Sequence, residues 1–203
     1  MPIQDRIKER LINPTWEQII ERDPLIAFSF YLSGRKNVLI TIADEIIENL
    51  DQAFAESVID IGRLERAESL MWLWTFGAYE VVRTMCQSKD CFSQRAFDDL
   101  SKLKKMLSTV RMPAAKMEKP GKKVPVTSNR SPAGVDVSNR DLLVNDPEST
   151  PDISARFILM EFNRVMSSIT KNDILGHHEE SYTGGPNKGM QPTPQSGDAD
   201  ALP

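Results

Sequence analysis

Histidine and cysteine are scarce in this chain, and their positions exclude most metal and redox chemistry. The 203 residues include two histidines, His177 and His178, and two cysteines, Cys86 and Cys91. Adjacent histidines cannot both face one side of a helix, so they predict no metal site. The cysteines are five positions apart, which is not the spacing of a redox pair or a zinc knuckle. We therefore expect reduced thiols, with Cys86 packed and Cys91 exposed, and no metal or cofactor.

Long apolar segments are lacking too. The longest apolar run, from Leu70 to Val82, is too short to span a bilayer. The first ten residues contain no apolar core of a signal peptide. The net charge of −4 gives the chain no overall attraction to nucleic acid. We expect a cytoplasmic protein without a membrane partner.

Catalytic motifs are also missing. The segment "YTGGPNKG" lacks the strand-then-helix setting of a phosphate-binding loop. No serine, histidine and aspartate are arranged as a triad. We assign no catalytic residue, and the sequence leaves open whether the protein is an enzyme, with a non-enzymatic role preferred.

The first half of the chain contains regular helical patterns. Asn13, Asp23, Asp60 and Asp90 are helix-start residues before amphipathic segments, and Gly34 is predicted to end a helix. Apolar residues recur at steps of three and four. They form two stripes, Leu39, Ile42, Ala43, Ile46, Ile47 and Leu50, and then Phe92, Ala96, Leu100, Leu103, Leu107 and Val110.

The pattern changes in residues 112–150, where proline and glycine are frequent and periodicity is weak. This predicts an irregular excursion that includes a short hairpin. Thr150 and Pro151 predict a new helix start, followed by a face of Ile158, Phe162, Val165 and Ile169.

The sequence therefore predicts an all-α bundle of about five or six helices, covering residues 4–111 and 151–171. They form a single domain, residues 1–175, with the irregular loop 112–150 inserted before the last helix. The polar, turn-rich residues 176–203 predict a disordered tail.

One charged pair lies in the most apolar segment. "MWLWTFGAYEVVR" carries Glu80 and Arg83 in a helix that is apolar nearly all round, which indicates a central, buried helix. Buried charges need partners, so the preferred interpretation is a structural pair. The alternative is a small-ligand site, with Trp72, Tyr79, Glu80 and Arg83 forming the floor of a pocket.

A second charged feature is a basic span with few acids. It contains Lys102, Lys105, Arg111, Lys116, Lys119, Lys122 and Lys123. A solvated helix face continuing into a solvated loop is the preferred interpretation. The alternative is a patch that contacts phosphate groups of nucleic acid.

The end of the chain resembles a known kind of protein tail. Residues 187–203, "NKGMQPTPQSGDADALP", are similar to the tails of proteins encoded in integron gene cassettes. The resemblance implies a bacterial, horizontally mobile gene with an accessory role, and it implies nothing about the fold.

The layout of two helices resembles HEPN domains, which are helical bundles of prokaryotic toxin and defence systems. The residues concerned are "GAYEVVRTM" and "VRMPAAK", within a layout covering about residues 38–170. The resemblance implies that Arg111 occupies the place of the catalytic arginine of the ribonuclease members. Those members have a histidine four to six residues later, whereas this chain has Lys116 five residues later. An altered relative without nuclease activity is therefore implied.

Three functions remain open at this point. The preferred one is a non-enzymatic binding module from a mobile cassette, with a second copy of the chain or another protein as partner. The alternatives are a HEPN-like protein directed to nucleic acid, and a small-ligand binder or enzyme that uses the region of Glu80 and Arg83.

Overall fold

The computed structural model describes residues 13–116, 118, 124–125, 134–145 and 151–178. Six α-helices are found in these ranges, which confirms the predicted all-α fold. They are α1 (Trp16–Arg22), α2 (Leu25–Phe28), α3 (Phe30–Ala53), α4 (Ile61–Gln87), α5 (Gln94–Lys116) and α6 (Ala155–Ser168). Short 3-10 turns follow α4 at Lys89–Cys91 and α6 at Lys171–Asp173.

Helix α4 is the middle helix of the bundle. Helices α3 and α5 pack along its two sides, and α6 packs against α5 and α3. The indole of Trp74 on α4 contacts the ring of Phe162 on α6 at a centroid distance of 5.2 Å. Both side chains are fully buried, so α6 covers the Trp74 side of α4.

The predicted apolar stripes form the core. Every residue of the second stripe is buried, as is every residue of the predicted α6 face, and those of the first stripe are buried or packed against the core. The helical period thus identified which sides of α3, α5 and α6 face inward.

Several predicted helix boundaries were wrong. Gly34 does not end a helix, because α3 continues past it to Ala53. A Cβ at Gly34 would meet nothing within 4 Å, so this glycine lies on an open helix surface rather than in a turn. Side-chain bonds from Ser33 and Lys36 to Asp23 hold the chain on both sides of Gly34 in the bundle.

Other helix starts are displaced by a few residues because a nearby hydroxyl provides the cap. Thr15, rather than Asn13, accepts the capping hydrogen bond of α1. Ser93 replaces Asp90 at α5, and Ser154 replaces Thr150 at α6. Asp60 caps α4 as predicted.

The predicted hairpin is present within the excursion. Strands β1 (Gly134–Asp136) and β2 (Asp141–Leu143) pair antiparallel, with Val135 opposite Leu142. The hairpin contacts the start of α6, where the capping residue Ser154 donates its hydroxyl hydrogen bond to the buried carboxylate of Asp141. The hairpin is thereby tied to the bundle.

The last described residues pack against the core. Cys91 donates a hydrogen bond from Sγ to the backbone oxygen of His177 at 3.3 Å, and the ring of His178 lies 5.4 Å from that of Phe28. Cys91 is 5 % exposed, so the prediction of an exposed Cys91 was wrong. Residues 179–203, which include the cassette-like ending, lie outside the described residues.

The 3-10 turn after α6 is fixed by one buried carboxylate. Asp173 accepts hydrogen bonds from Ser93 Oγ at 2.5 Å and Thr170 Oγ1 at 2.7 Å, and it pairs with Arg95. Burial alone would raise the pKa of Asp173. The hydrogen bonds and the arginine outweigh that effect and hold the pKa well below its usual range.

We expect the Asp173→Asn variant to lose about 2 kcal/mol of stability at neutral pH, because it removes hydrogen bonds to a charged acceptor. Since the folded-state pKa is lowered, this stabilisation is present above the unfolded pKa, about 3.9, and is lost as the pH falls through the folded pKa. Urea unfolding of wild type and variant between neutral and acid pH measures the difference.

The difference in unfolding free energy should shrink as the pH falls below about 4. Asp90→Asn, at an exposed position in the neighbouring turn, is the control and should show no such narrowing. A difference that stays constant with pH would contradict the assignment to the Asp173 carboxylate.

Candidate functional site

The side of α4 opposite Trp74 is open to solvent in the described part of the structure. Residues 18 positions apart are five full turns apart at 3.6 residues per turn, so Glu65 and Arg83 lie on the same side of α4. Trp72 is 50 % exposed and Leu73 56 % exposed, whereas Trp74 is 0 % exposed. We call this surface the open face of α4, formed by Glu65, Ser69, Trp72, Leu73, Phe76 and Arg83.

The open face corrects the expectation of a helix buried all round. The buried residues of α4 share the opposite side of the helix. They include Leu70, Trp74, Val81 and Val82. The apolar residues Trp72 and Leu73 lie outside that side. Since apolar residues occur on both sides, composition alone did not separate the core side from the open face.

Glu80 and Arg83 form a pair, although they are only half-buried. Arg83 donates from Nε to Oε2 of Glu80 at 2.7 Å, and its Nη2 also lies 2.7 Å from that oxygen. The side chain of Arg83 is 42 % exposed and that of Glu80 is 47 % exposed. The two charges are therefore partners, as preferred from the sequence, but they lie at the edge of the open face rather than in the core.

Arg111 of α5 joins this pair from the side. Its guanidinium carbon lies 4.6 Å from the centre of the Tyr79 ring, a cation–π distance. Its Nη2 lies 3.8 Å from Oε1 of Glu80, and its buried Nε has no hydrogen-bond acceptor among the described residues. The carboxylate of Glu80 is thus shared by Arg83 and Arg111.

Two aromatic side chains are locked together beside this cluster. Trp72 donates from Nε1 to the backbone oxygen of Ala114 at 3.1 Å, which ties it to the last turn of α5. Its ring meets that of Phe76 edge-on, with centroids 5.0 Å apart. Trp72 therefore presents a fixed, half-exposed aromatic surface.

The structure brings together the four predicted ligand-site residues, and it separates Arg111 from Lys102 of the predicted basic patch. Trp72, Tyr79, Glu80 and Arg83 lie on or beside the open face. Lys102 and Arg111 are nine positions apart, which is two and a half helical turns, so they lie on opposite sides of α5.

The other basic residues of the predicted patch are exposed wherever the structure describes them. Lys102 is 79 % exposed and lies 3.9 Å from Asp99. Lys105 and Lys116 are also exposed. Lys119, Lys122 and Lys123 lie outside the described residues.

Leu73 and Glu65 were not among the predicted site residues. Glu65 was recognisable from its helical spacing to Trp72 and Arg83, because a charge at each end of an aromatic stripe is a signal of exposure. Leu73 gave no such signal, since its neighbours Trp72 and Trp74 are both apolar.

Metal ligation and membrane insertion were also considered. Within the described ranges, no group of three or more histidine, cysteine, aspartate or glutamate side chains is placed to hold a metal ion. No helix of these ranges combines the length and the apolarity needed to cross a bilayer.

The cassette-like tail and the HEPN-like layout remain predictions from the sequence. The residue in the arginine place, Arg111, is held against Tyr79 and Glu80. Comparison with known proteins found no matching family model, no matching curated protein and no matching solved structure.

Proposed function

We propose that the protein is a non-enzymatic helical interaction module of a bacterial mobile cassette, and that it binds another protein chain through the open face of α4. The observation that carries the proposal is the exposure of Trp72 and Leu73 on the middle helix of the bundle. Aromatic residues are enriched at protein interfaces, where a rigid ring contributes contact area at low entropic cost.

The charges around the open face favour a protein partner over nucleic acid. Glu65 lies at one end and Arg83 at the other, so the surface carries both signs. Binding to a phosphate backbone needs a surface of one positive sign. Arg111 is the arginine of the predicted basic patch, and it faces Tyr79 and Glu80.

The same geometry favours binding over catalysis. A general base needs a carboxylate that can reach a substrate proton. Both oxygens of Glu80 are directed at arginines, Oε2 at Arg83 and Oε1 at Arg111. This arrangement holds the carboxylate in a fixed position on the surface.

Site-specific photocrosslinking tests the proposal in the full-length protein. A photoreactive phenylalanine analogue replaces Leu73, which is 56 % exposed, in bacterial cells that express the chain. The matched control carries the same group at Met160 of α6, which is 60 % exposed. We expect a discrete protein adduct from position 73 that position 160 does not form.

Two results would overturn the proposal. One is equal labelling of proteins from both positions, which indicates non-specific contact. The other is an adduct at position 73 that nuclease removes and protease leaves intact, which would support the alternative of a nucleic-acid-directed protein.

A further inference from the structure

The open face of α4 has a charge order that is complementary to itself. Glu65 lies nine residues before Trp74 and Arg83 lies nine residues after it, so each charge is about 14 Å along the axis from that point. Trp72 and Phe76 lie two residues on either side of the same point. The face therefore reads acid, aromatic, aromatic, base from one end to the other.

We propose that the partner of the open face is a second copy of this chain, docked through α4 about a two-fold axis. This inference rests on the proposed function. When the two-fold axis is perpendicular to α4 at the level of Trp74, the two α4 helices run antiparallel and the same surface of each copy meets the other. Glu65 of each copy then lies opposite Arg83 of the other, and Trp72 lies opposite Phe76.

The state of the charged side chains fits this arrangement. Glu65 is exposed. Arg83 uses Nε and Nη2 for Glu80 and is 42 % exposed, which leaves Nη1 for a second carboxylate. An arginine shared between an acid of its own chain and one of the partner gives charge-assisted bonds on both sides.

The aromatic centre supplies the apolar part of the interface. Trp72 and Leu73 are half-exposed, and Phe76 is half-buried against Trp72. Two-fold docking places these groups against the same groups of the second copy, so apolar area meets apolar area between the two charged ends. A partner with one uniform sign of charge would match only one end.

Charge exchange between the two positions tests the inference. Glu65→Arg alone puts arginine opposite Arg83, and Arg83→Glu alone puts glutamate opposite Glu65. Each change reverses two symmetric contacts, so we expect each variant to dimerise at least about tenfold more weakly than wild type. Sedimentation equilibrium over a range of concentrations measures the dissociation constant.

Mixing the two variants should restore association, because both cross-chain contacts are then between opposite charges. Far-UV circular dichroism shows whether each variant is folded, and a misfolded variant could not regain binding on mixing. Arg164→Glu, on α6 and outside the open face, is the matched control and should dimerise as wild type does.

Two outcomes would overturn the inference. A wild-type protein that stays monomeric at about 100 µM, well above typical dissociation constants of stable dimers, has no such interface. A dimer that neither charge reversal weakens uses another surface. If position 73 still forms an adduct with a different protein in cells, the proposed function stands while the second copy is excluded as its partner.

Discussion

Replacing Trp74 by alanine is expected to lower the free energy of unfolding by about 4 kcal/mol, the range for deleting a fully buried aromatic side chain. Trp74 is 0 % exposed, contacts Phe162 of α6, and donates from Nε1 to the backbone oxygen of Leu39 at 2.9 Å. One side chain therefore joins α3, α4 and α6. Urea unfolding followed by far-UV circular dichroism measures the loss.

Trp72 provides a control of the same residue type on the same helix. Its ring is 50 % exposed and makes its hydrogen bond at the surface, so Trp72→Ala should cost only about 1 kcal/mol. Dimerisation should show the opposite ranking of the two variants. Trp72→Ala should weaken it more than the small loss of stability would explain. Equal stability losses in both variants would contradict the assignment of core side and open face.

The second large effect concerns an ion pair at the start of α3. Asp23→Ala is expected to cost about 3 kcal/mol, because it leaves the charge of Lys36 with its partner removed in a buried position. Lys36 Nζ lies 2.6 Å from Asp23 Oδ1, and Ser33 Oγ donates to Oδ2 at 2.6 Å. Thermal or urea unfolding of the variant gives the value.

A double variant distinguishes the loss of the ion pair itself from the cost of leaving the charge of Lys36 without its partner. Replacing both groups, Asp23→Ala with Lys36→Met, removes the unpaired charge and should recover part of the stability. Burial alone would raise the pKa of Asp23, but the charge of Lys36 and the hydrogen bonds outweigh it and lower the pKa. A double variant as unstable as Asp23→Ala would show that the ion pair is not the origin of the effect.

Local patterns predicted the fold well where the helical period was strong. The stripe from Phe92 to Val110 is buried throughout, and Asp60 caps α4 as expected. The helix boundaries were less predictable, because neighbouring residues can each cap the same helix. Asn13 and Thr15 both have side chains that can cap a helix. Thr15 caps α1 because it also forms the reciprocal bond with Gln18 three residues later, a local capping box.

The sequence predicted the charged pair of the candidate site, but not the exposure of the site or the part played by Leu73. The pairing of Glu80 with Arg83 followed from their spacing of three. The contribution of Arg111 depends on how α5 packs along α4, which is a long-range contact that spacing along one helix does not contain. For the same reason the sequence could not show that α6 covers one side of α4 and leaves Trp72 and Leu73 accessible.

The core side and the open face of α4 also differ in how freely their residues can change during evolution. Substitutions around Trp74 alter the packing of three helices at once, so most of them are removed whatever the chain binds. Glu65, Leu73 and Arg83 lie outside that packing, so we expect substitutions there to leave it intact. A single helix can therefore keep one architecture through evolution while its outward surface diverges toward new associations.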